Sequence, residues 1–400
     1  MRISSTEQFQ QGIDSILNQQ AKLNQTQLQL ATGKKVLKPS DDPAVATQLL
    51  NLSSLKANNL QYDRNINTAQ NELELQESVL ASSGNVLQRV RELVIQANNA
   101  TQSSQTRAAI ADEISNLADE LLQLSNSKSP SGEYIFAGYN SRTPAFAKSG
   151  AGYVYQGDQG QRLLQVSEDT QLAVRDNGAD VFQGMMTGDG RFLLESPESN
   201  TGDGLVKMSS TIDAISDNYS ITFIQANPGD PLLYSVSGED VGAVATGTFA
   251  AGEAINFNGI SIEIAGSPVN GDSYAINRSV RQDVFQSVQS IADALLAGGG
   301  TAAQSSKRVN DLGQSISTMD QALEHLQSRR TIVGNRLQAL DTRADENANG
   351  LLRLERQTSE LNDLDFAEAV SRLNLQTTAL QAAQQAYIKV QGLSLFNYLR

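Results

Sequence analysis

The stretch VLKPSDDPAVATQLL, residues 36–50, places two adjacent carboxylates, Asp41 and Asp42, between two prolines and ahead of an apolar run. Neighbouring carboxylates can share a proton in acid–base work or help to hold a divalent cation, but both uses need further groups. No histidine or third carboxylate stands close to them in sequence. Cysteine is absent, and His325 is the only histidine in the 400 residues. This excludes disulfides, thiolate zinc sites and cysteine nucleophiles. Any Ser-His-Asp relay or histidine-ligated metal would rest on His325 alone. No glycine-rich phosphate loop or distinctively spaced carboxylate pair occurs elsewhere. The expectation is a chain with no catalytic residue, no metal and no cofactor.

The same cluster has a purely structural use. Proline is favoured at the first helical position, where its missing N–H would be unpaired anyway, and Pro43 stands where a long helix should begin. Asp42 before it is a good N-cap, and Asp41 adds negative charge near the positive end of the helix dipole. Asp42 and Pro43 therefore read as a start signal, a break and restart between two helices.

That helix has a periodic frame. Val45, Leu52, Asn59, Ile66, Leu73, Leu80, Leu87 and Val94 recur at seven-residue spacing, with seven of the eight apolar. The C-terminal flank carries a longer frame. Alternating three- and four-residue steps from Val309 to Leu361 touch sixteen positions, of which thirteen are apolar, the exceptions being Arg330, Asn347 and Thr358. A heptad pattern held this long is that of a left-handed coiled coil, about 80 Å long at the usual rise of about 1.5 Å per residue. The two stripes can bury each other and bring the termini together. Further stripes at Ile110–Leu124 and Val284–Leu295 make the rod a small bundle.

Outside the rod, Phe9, Ile16, Leu23 and Leu30 form one more stripe, and Phe366, Leu373, Leu380 and Tyr387 another. Helices this short are marginal alone and depend on packing. Two readings stay open, an ordinary intramolecular helix pair and a polymerisation segment that folds on assembly.

Between the flanks composition changes: 22 of the 30 glycines fall between Gly138 and Gly300. GYVYQGDQGQRLLQV reads as a hairpin around Gly-Asp-Gln-Gly, and residues 219–276 alternate strand-like runs with Pro-Gly-Asp and Asn-Gly turns. The Asp and Gly residues there do not match the spaced ligands of a calcium loop. The fold class expected is a multidomain α+β chain. Terminal segments 1–40 and 364–400 flank a helical coiled-coil rod of residues 41–140 and 283–363. A β-rich insertion fills 141–282, with AGGGT at 297–301 as a flexible joint.

Charge narrows the partners. With 44 acidic against 30 basic residues the formal net charge is -14, so phosphate backbones and anionic lipid should repel the chain, and no nucleic-acid partner is expected. No 18-residue apolar run exists, and MRISSTEQFQQGID lacks the apolar core of a secretory signal, so neither membrane insertion nor signal cleavage is expected.

QLQLATGKKVLKPSDDPAVAT, LQRVRELVIQANNATQSS and the last forty residues, LNDLDFAEAVSRLNLQTTALQAAQQAYIKVQGLSLFNYLR, resemble the terminal regions of the bacterial flagellin family. SGEYIFAGYNSRTPAF, LFNYLR and Pro43, where filament flagellins more often have alanine, are closer to the hook-associated proteins of the hook–filament junction. The resemblance covers roughly residues 1–146 and 284–400. It implies a structural part of the extracellular flagellum, exported unfolded by the flagellar type III apparatus with a chaperone and without a cleavable signal. It also implies self-assembly in a ring between hook-associated protein 1 and the first flagellins. The terminal segments would then line an inner tube through Phe9, Ile16, Leu23, Leu30, Phe366, Leu373, Leu380 and Tyr387. The alternative within the family is a filament-forming flagellin. QRVREL further resembles the segment that Toll-like receptor 5 contacts on some flagellins, with Arg89 and Glu92 facing outward. A solvated or subunit-facing helix surface explains the same residues.

Overall fold

The structure, a computed structural model, describes residues 5–99, 101–150, 152–210, 215, 217–297 and 300–398. The Gly298–Gly299 part of the expected joint lies outside the described residues. In order come helices α1 (Ser5–Thr32), α2 (Pro43–Ala97) and α3 (Ser104–Ser125), then strands β1 (Phe146–Ser149), β2 (Gly152–Tyr155), β3 (Leu163–Gln165) and β4 (Gln171–Ala173). Helix α4 (Gly178–Phe182) precedes β5 (Met185–Met186), β6 (Phe192–Glu195), β7 (Leu205–Ser210), β8 (Tyr219–Ile224), β9 (Leu233–Gly238) and β10 (Gly242–Thr248). Strands β11 (Ala254–Phe257), β12 (Ile260–Ala265), β13 (Ser273–Arg278) and β14 (Arg281–Gln282) lead to α5 (Val284–Leu296), α6 (Ala302–Asn362) and α7 (Phe366–Tyr398). The chain forms two compact units, residues 1–64 with 342–400, and residues 65–341; α2 and α6 contribute to both.

The heptad frames of α2 and α6 face each other. Within the 65–341 unit the α2 frame is buried from Ile66 to Val94, and Leu312, Met319, Leu326, Val333 and Leu340 of α6 are buried as well. Flanking polar contacts set the direction: Gln70 bonds Asp341 at 2.9 Å, Arg330 pairs with Glu77 at 2.6 Å and Arg91 with Asp320 at 2.6 Å. Partner numbers fall as α2 numbers rise, so the helices are antiparallel in one register. Within the terminal unit Lys56 pairs with Glu355 at 2.7 Å, and Asn347 Nδ2 donates to the Asn59 carbonyl at 2.9 Å. Asn59 and Asn347 are polar interruptions of the two frames; the buried Asn347 amide is satisfied by the Asn59 backbone carbonyl, and a slip that removed this acceptor would leave the amide unpaired.

In the β-rich region the expected hairpin around Gly157–Gly160 does not form. Strand β2 pairs back with β1, and β3 pairs forward with β4. Asp158 explains the difference: its Oδ1 accepts the Tyr139 and Gly160 amides at 2.9 and 2.7 Å, which folds the turn onto the preceding loop. These backbone bonds hold the Asp158 carboxyl below its usual range. The later turns act as the residues suggest. Asn258 (φ 43°) and Gly259 (φ 79°) join β11 to β12, the left-handed pair that a two-residue hairpin needs. Strands β10-β9-β8-β13-β6 form one sheet and β11-β12-β7 a second. Phe223, Tyr274, Ile221, Ile262 and Ile276 belong to the apolar core these two sheets share.

The segment 141–282 is therefore two differently packed parts. Phe146 and Phe182 join Phe136 and Phe285 in a buried ring cluster, with Phe146–Phe285 centroids 5.0 Å apart and Phe136–Phe182 5.2 Å apart. The two-sheet part enters and leaves at one point, where the Thr187 amide donates to the Val280 carbonyl at 3.0 Å, and it is tied to α6 by polar bonds alone among those described, with Asn310 Oδ1 accepting the Val206 amide at 3.0 Å and Asn310 Nδ2 donating to the Gly204 carbonyl at 3.1 Å. Replacing residues 189–279 by a short Gly/Ser linker is expected to preserve the helical circular-dichroism signal and a cooperative melt. Replacing 147–281 is expected to lose both, since it removes Phe182 and its neighbours from the ring cluster. Collapse of the shorter deletion would show that the sheets are needed for the helical core.

Candidate functional site

The terminal unit is organised around an elbow at residues 33–42 and 362–365. Gly33, at φ +68°, ends α1 in a left-handed cap, and its amide closes the last turn on Gln29. Its carbonyl accepts the Leu364 amide at 3.0 Å, the Lys35 amide donates to the Asn362 carbonyl at 2.6 Å, and Val36 N donates to Asn362 Oδ1 at 3.1 Å. Both chain crossings are thus stitched together by backbone. Each following helix starts on an aspartate. Asp42 Oδ1 accepts from Ala44 and Val45 at 3.1 and 3.0 Å, and Asp365 Oδ1 accepts from Ala367 and Glu368 at 2.9 and 3.1 Å. Asp41 turns the other way: Oδ2 accepts the Leu37 and Lys38 amides, and Oδ1 accepts from Gln25 Nε2 of α1 at 3.2 Å. Its carboxylate closes the elbow loop, a role beyond the negative charge near the start of α2 that the sequence suggests for it.

Beyond the elbow α1 and α7 pack antiparallel. The Phe9 and Tyr387 rings meet edge to face at 6.2 Å, a Cβ on Gly12 would stand 3.1 Å from the Tyr387 ring, and Gly33 lies against Phe366. Phe9, Ile16, Leu23 and Leu30, with Leu373, Leu380 and Tyr387, are partly buried, while Phe366 is exposed. A second apolar set, which the seven-residue frames do not contain, is more exposed: Ile13, Leu17 and Leu28 on α1, and Val370, Leu375 and Ile388 on α7, with Leu17 at 57% and Leu375 at 70%. At about 100° per residue Ile13, Leu17 and Leu28 fall within about 60° of one another and about 100° from the first stripe. Helix α1 therefore presents two apolar faces, and one chain covers one of them in part.

Two other regions carry charge. On α2, Leu87, Val90 and Val94 are buried, and Arg89 pairs with Glu113 of α3 at 2.8 Å and with Glu92 at 3.4 Å. The Glu113 bond and charge raise the Arg89 guanidinium above its ordinary value. The second region, Arg175-Asp176-Asn177-Gly178, escaped the sequence reading. Arg175 is 4% exposed and grips Glu72 through two bonds of 2.6 and 2.7 Å, with Glu133 at 3.0 Å. Asp176 accepts from Arg336 and Gln76, each at 2.8 Å. Asn177 caps α4, and a Cβ on Gly178 would strike the Phe146 ring at 2.7 Å. Beside it, burial pushes the Tyr155 hydroxyl up to about 12, which keeps it a donor to the Phe136 carbonyl. A polar tetrapeptide ahead of a short helix was the only signal available.

His325 is half-buried with Nε2 2.8 Å from the Asp180 carbonyl, and burial lowers its pKa. Among the described residues no cluster of three or more His, Asp or Glu is placed to hold a metal, and no helix is long and apolar enough to cross a membrane.

The family model described as the bacterial flagellin N-terminal helical region matches residues 3–141, and that of the flagellin C-terminal helical region matches 316–399. Flagellar hook-associated protein 3 of Escherichia coli K12 is 28% identical over 99% of both chains. The flagellar junction protein FlgL of Legionella pneumophila is 32% identical, covers 73% of this chain and 99% of its own, and superposes with a TM-score of 0.68. The chain belongs to the hook-associated protein 3 family. Polar flagellin C of Vibrio parahaemolyticus, 25% identical over 91% of this chain and 88% of its own, is a more distant member of the wider flagellin group. In this hook-associated protein 3 family member the matched flagellin regions contain the elbow, both terminal helices and both exposed apolar sets. The two-sheet part of the fold lies outside them.

Proposed function

We propose that this chain is a structural adaptor of the bacterial flagellum that joins the hook, through hook-associated protein 1, to the flagellin filament. The observation that carries the reading is the unpaired apolar face of α1, Ile13, Leu17 and Leu28, within the region matched to flagellin. An apolar helix face left open in one chain is suited to burial against neighbouring copies in a ring. On this reading residues 1–40 and 364–400 form the inner tube. Residues 41–140 and 283–363 form the surrounding helical layer, and 141–282 faces outward. Export unfolded through the flagellar type III apparatus, with a chaperone, accounts for its extracellular place. Full-length kinship to hook-associated protein 3 favours this role over that of a filament-forming flagellin.

Electron microscopy of a deletion strain tests it. Intact hooks without filaments, with flagellin shed into the medium and filaments restored by the cloned gene, are the expected result. Filaments of normal length in the deletion strain would remove the junction role, and loss of the filament without shed flagellin would favour the filament-forming alternative.

A further inference from the structure

The two-sheet part meets α6 along one line of polar side chains. Ser306, Asn310, Gln314 and Thr318 stand four residues apart on that helix and so share one face. Each bonds the backbone of the sheets or of the chain entering them. Ser306 Oγ donates to the Asp203 carbonyl at 2.9 Å, and Asn310 bonds both the Gly204 carbonyl and the Val206 amide. Gln314 Oε1 accepts the Leu194 amide at 3.4 Å, and Thr318 Oγ1 accepts the Gly188 amide at 2.9 Å. Leu194 and Val206 lie in β6 and β7, the edge strands of the two sheets, whose outward amides need acceptors from outside the sheet. The apolar core of the sheets stops short of the helix: its members and the residues packed on them all fall between Phe192 and Ile276. Two cavities lie along the same junction. One of about 340 Å³ touches Thr187, Leu194, Gln314 and Thr318, and one of about 470 Å³ touches Glu198, Asn200, Lys307 and Asp311. Walls so polar suit water better than dry packing. The chain enters and leaves through the short ribbon of β5 and β14, two residue pairs long, and Gly188, at φ +62°, follows directly.

We infer that the two-sheet part is a hinged module, turning at Thr187–Gly188 and Ser279–Val280 and latched to α6 by Ser306, Asn310, Gln314 and Thr318. A bond from a neutral side chain to backbone is worth little net, because water replaces it when the partners separate. A row of such bonds beside polar cavities holds one docked arrangement without fusing the sheets to the helices, as interdigitated apolar side chains would. Opening at the latch leaves the sheet core around Phe223 and Tyr274 intact. The two short crossings then absorb the rotation, which is how hinges work in general. This property belongs to the free chain and stands apart from the junction role.

Amide hydrogen exchange on the full chain and on Asn310→Ala tests the latch. Asn310→Ala is expected to speed exchange of the Val206 amide about tenfold. Leu194 and Gly188 should speed up by a similar factor although their own acceptors are unchanged, because one opening releases all three. Amides of β8, β13 and α2 should keep the parent's rates. Small-angle scattering of the triple variant Asn310→Ala, Gln314→Ala, Thr318→Ala should show a larger maximum dimension than the parent with the same circular dichroism. Faster exchange confined to Val206, or no change at any of the three amides, would show separate surface contacts and no hinge. Faster exchange throughout β8 and β13 would show that the sheets unfold instead of turning. Equal dimensions of parent and triple variant would likewise overturn the proposal, and if the triple variant loses its circular-dichroism signal, the exchange pattern of Asn310→Ala decides.

Discussion

Arg175→Met is expected to destabilise the 65–341 unit by about 3–5 kcal/mol, the usual cost of removing one partner from a buried ionic network. Arg175 is the only cation bonded to Glu72 in the described structure, and it shares Glu133 with Arg162. Without it, Glu72 stays mostly buried and its charge is uncompensated. Arg175→Lys should recover part of the loss, because an ammonium supplies charge without the two-pronged fork. Acidity gives an independent check. Burial would raise the Glu133 carboxyl, but the Arg175 hydrogen bond and charge, with Ser141 and Arg162 adding to them, hold it below its ordinary 4.5. A depressed carboxyl stabilises the fold above its unfolded value, and that contribution is lost as pH falls below about 4.5 through the lower folded value. The parent's advantage over Arg175→Met should therefore shrink in denaturant melts from pH 7 to pH 3. A variant as stable as the parent, or a deficit unchanged by acid, would show that the network contributes little.

Leu17→Asp and Leu375→Asp are expected to abolish assembly while leaving the free chain intact. Both side chains are more than half exposed, so a carboxylate at either position remains in water in the monomer, and its melt and circular dichroism should match the parent's. In a packed ring the same charge must be desolvated without a partner, at a cost of several kcal/mol per site. Swimming in a complemented deletion strain should fall to the level of the uncomplemented one. Leu23→Asp and Leu380→Asp should behave differently, because these side chains are already partly covered within one chain and should lose monomer stability as well as assembly. Normal swimming with Leu17→Asp and Leu375→Asp would mean that the exposed sets face solvent in the assembled structure.

Much of this architecture is legible in the residues. The heptad frames of α2 and α6, the start at Asp42-Pro43, and the Asn258-Gly259 turn all follow from side-chain periodicity or local backbone preference, which act within a few residues and so leave a mark on the sequence. Kinship adds the family, because the flagellin-like segments flank the chain in their usual order. What the sequence could not decide depends on partners distant along the chain. Asp41 binds the elbow loop and Gln25 because the chain doubles back there, and β2 pairs with β1 because Asp158 draws its loop onto Tyr139. Arg175 meets Glu72 across 103 residues and Arg336 meets Asp176 across 160. No periodicity records such contacts. The proposed assembly surface shows the same limit: the frame containing Phe9, Ile16, Leu23 and Leu30 was visible in the sequence, but Ile13, Leu17 and Leu28 became distinct only once α7 covered one face of α1 and left the other open. Local preference determines which segments become helices and strands, whereas the choice between a buried and an exposed apolar face is made by whichever element packs against it.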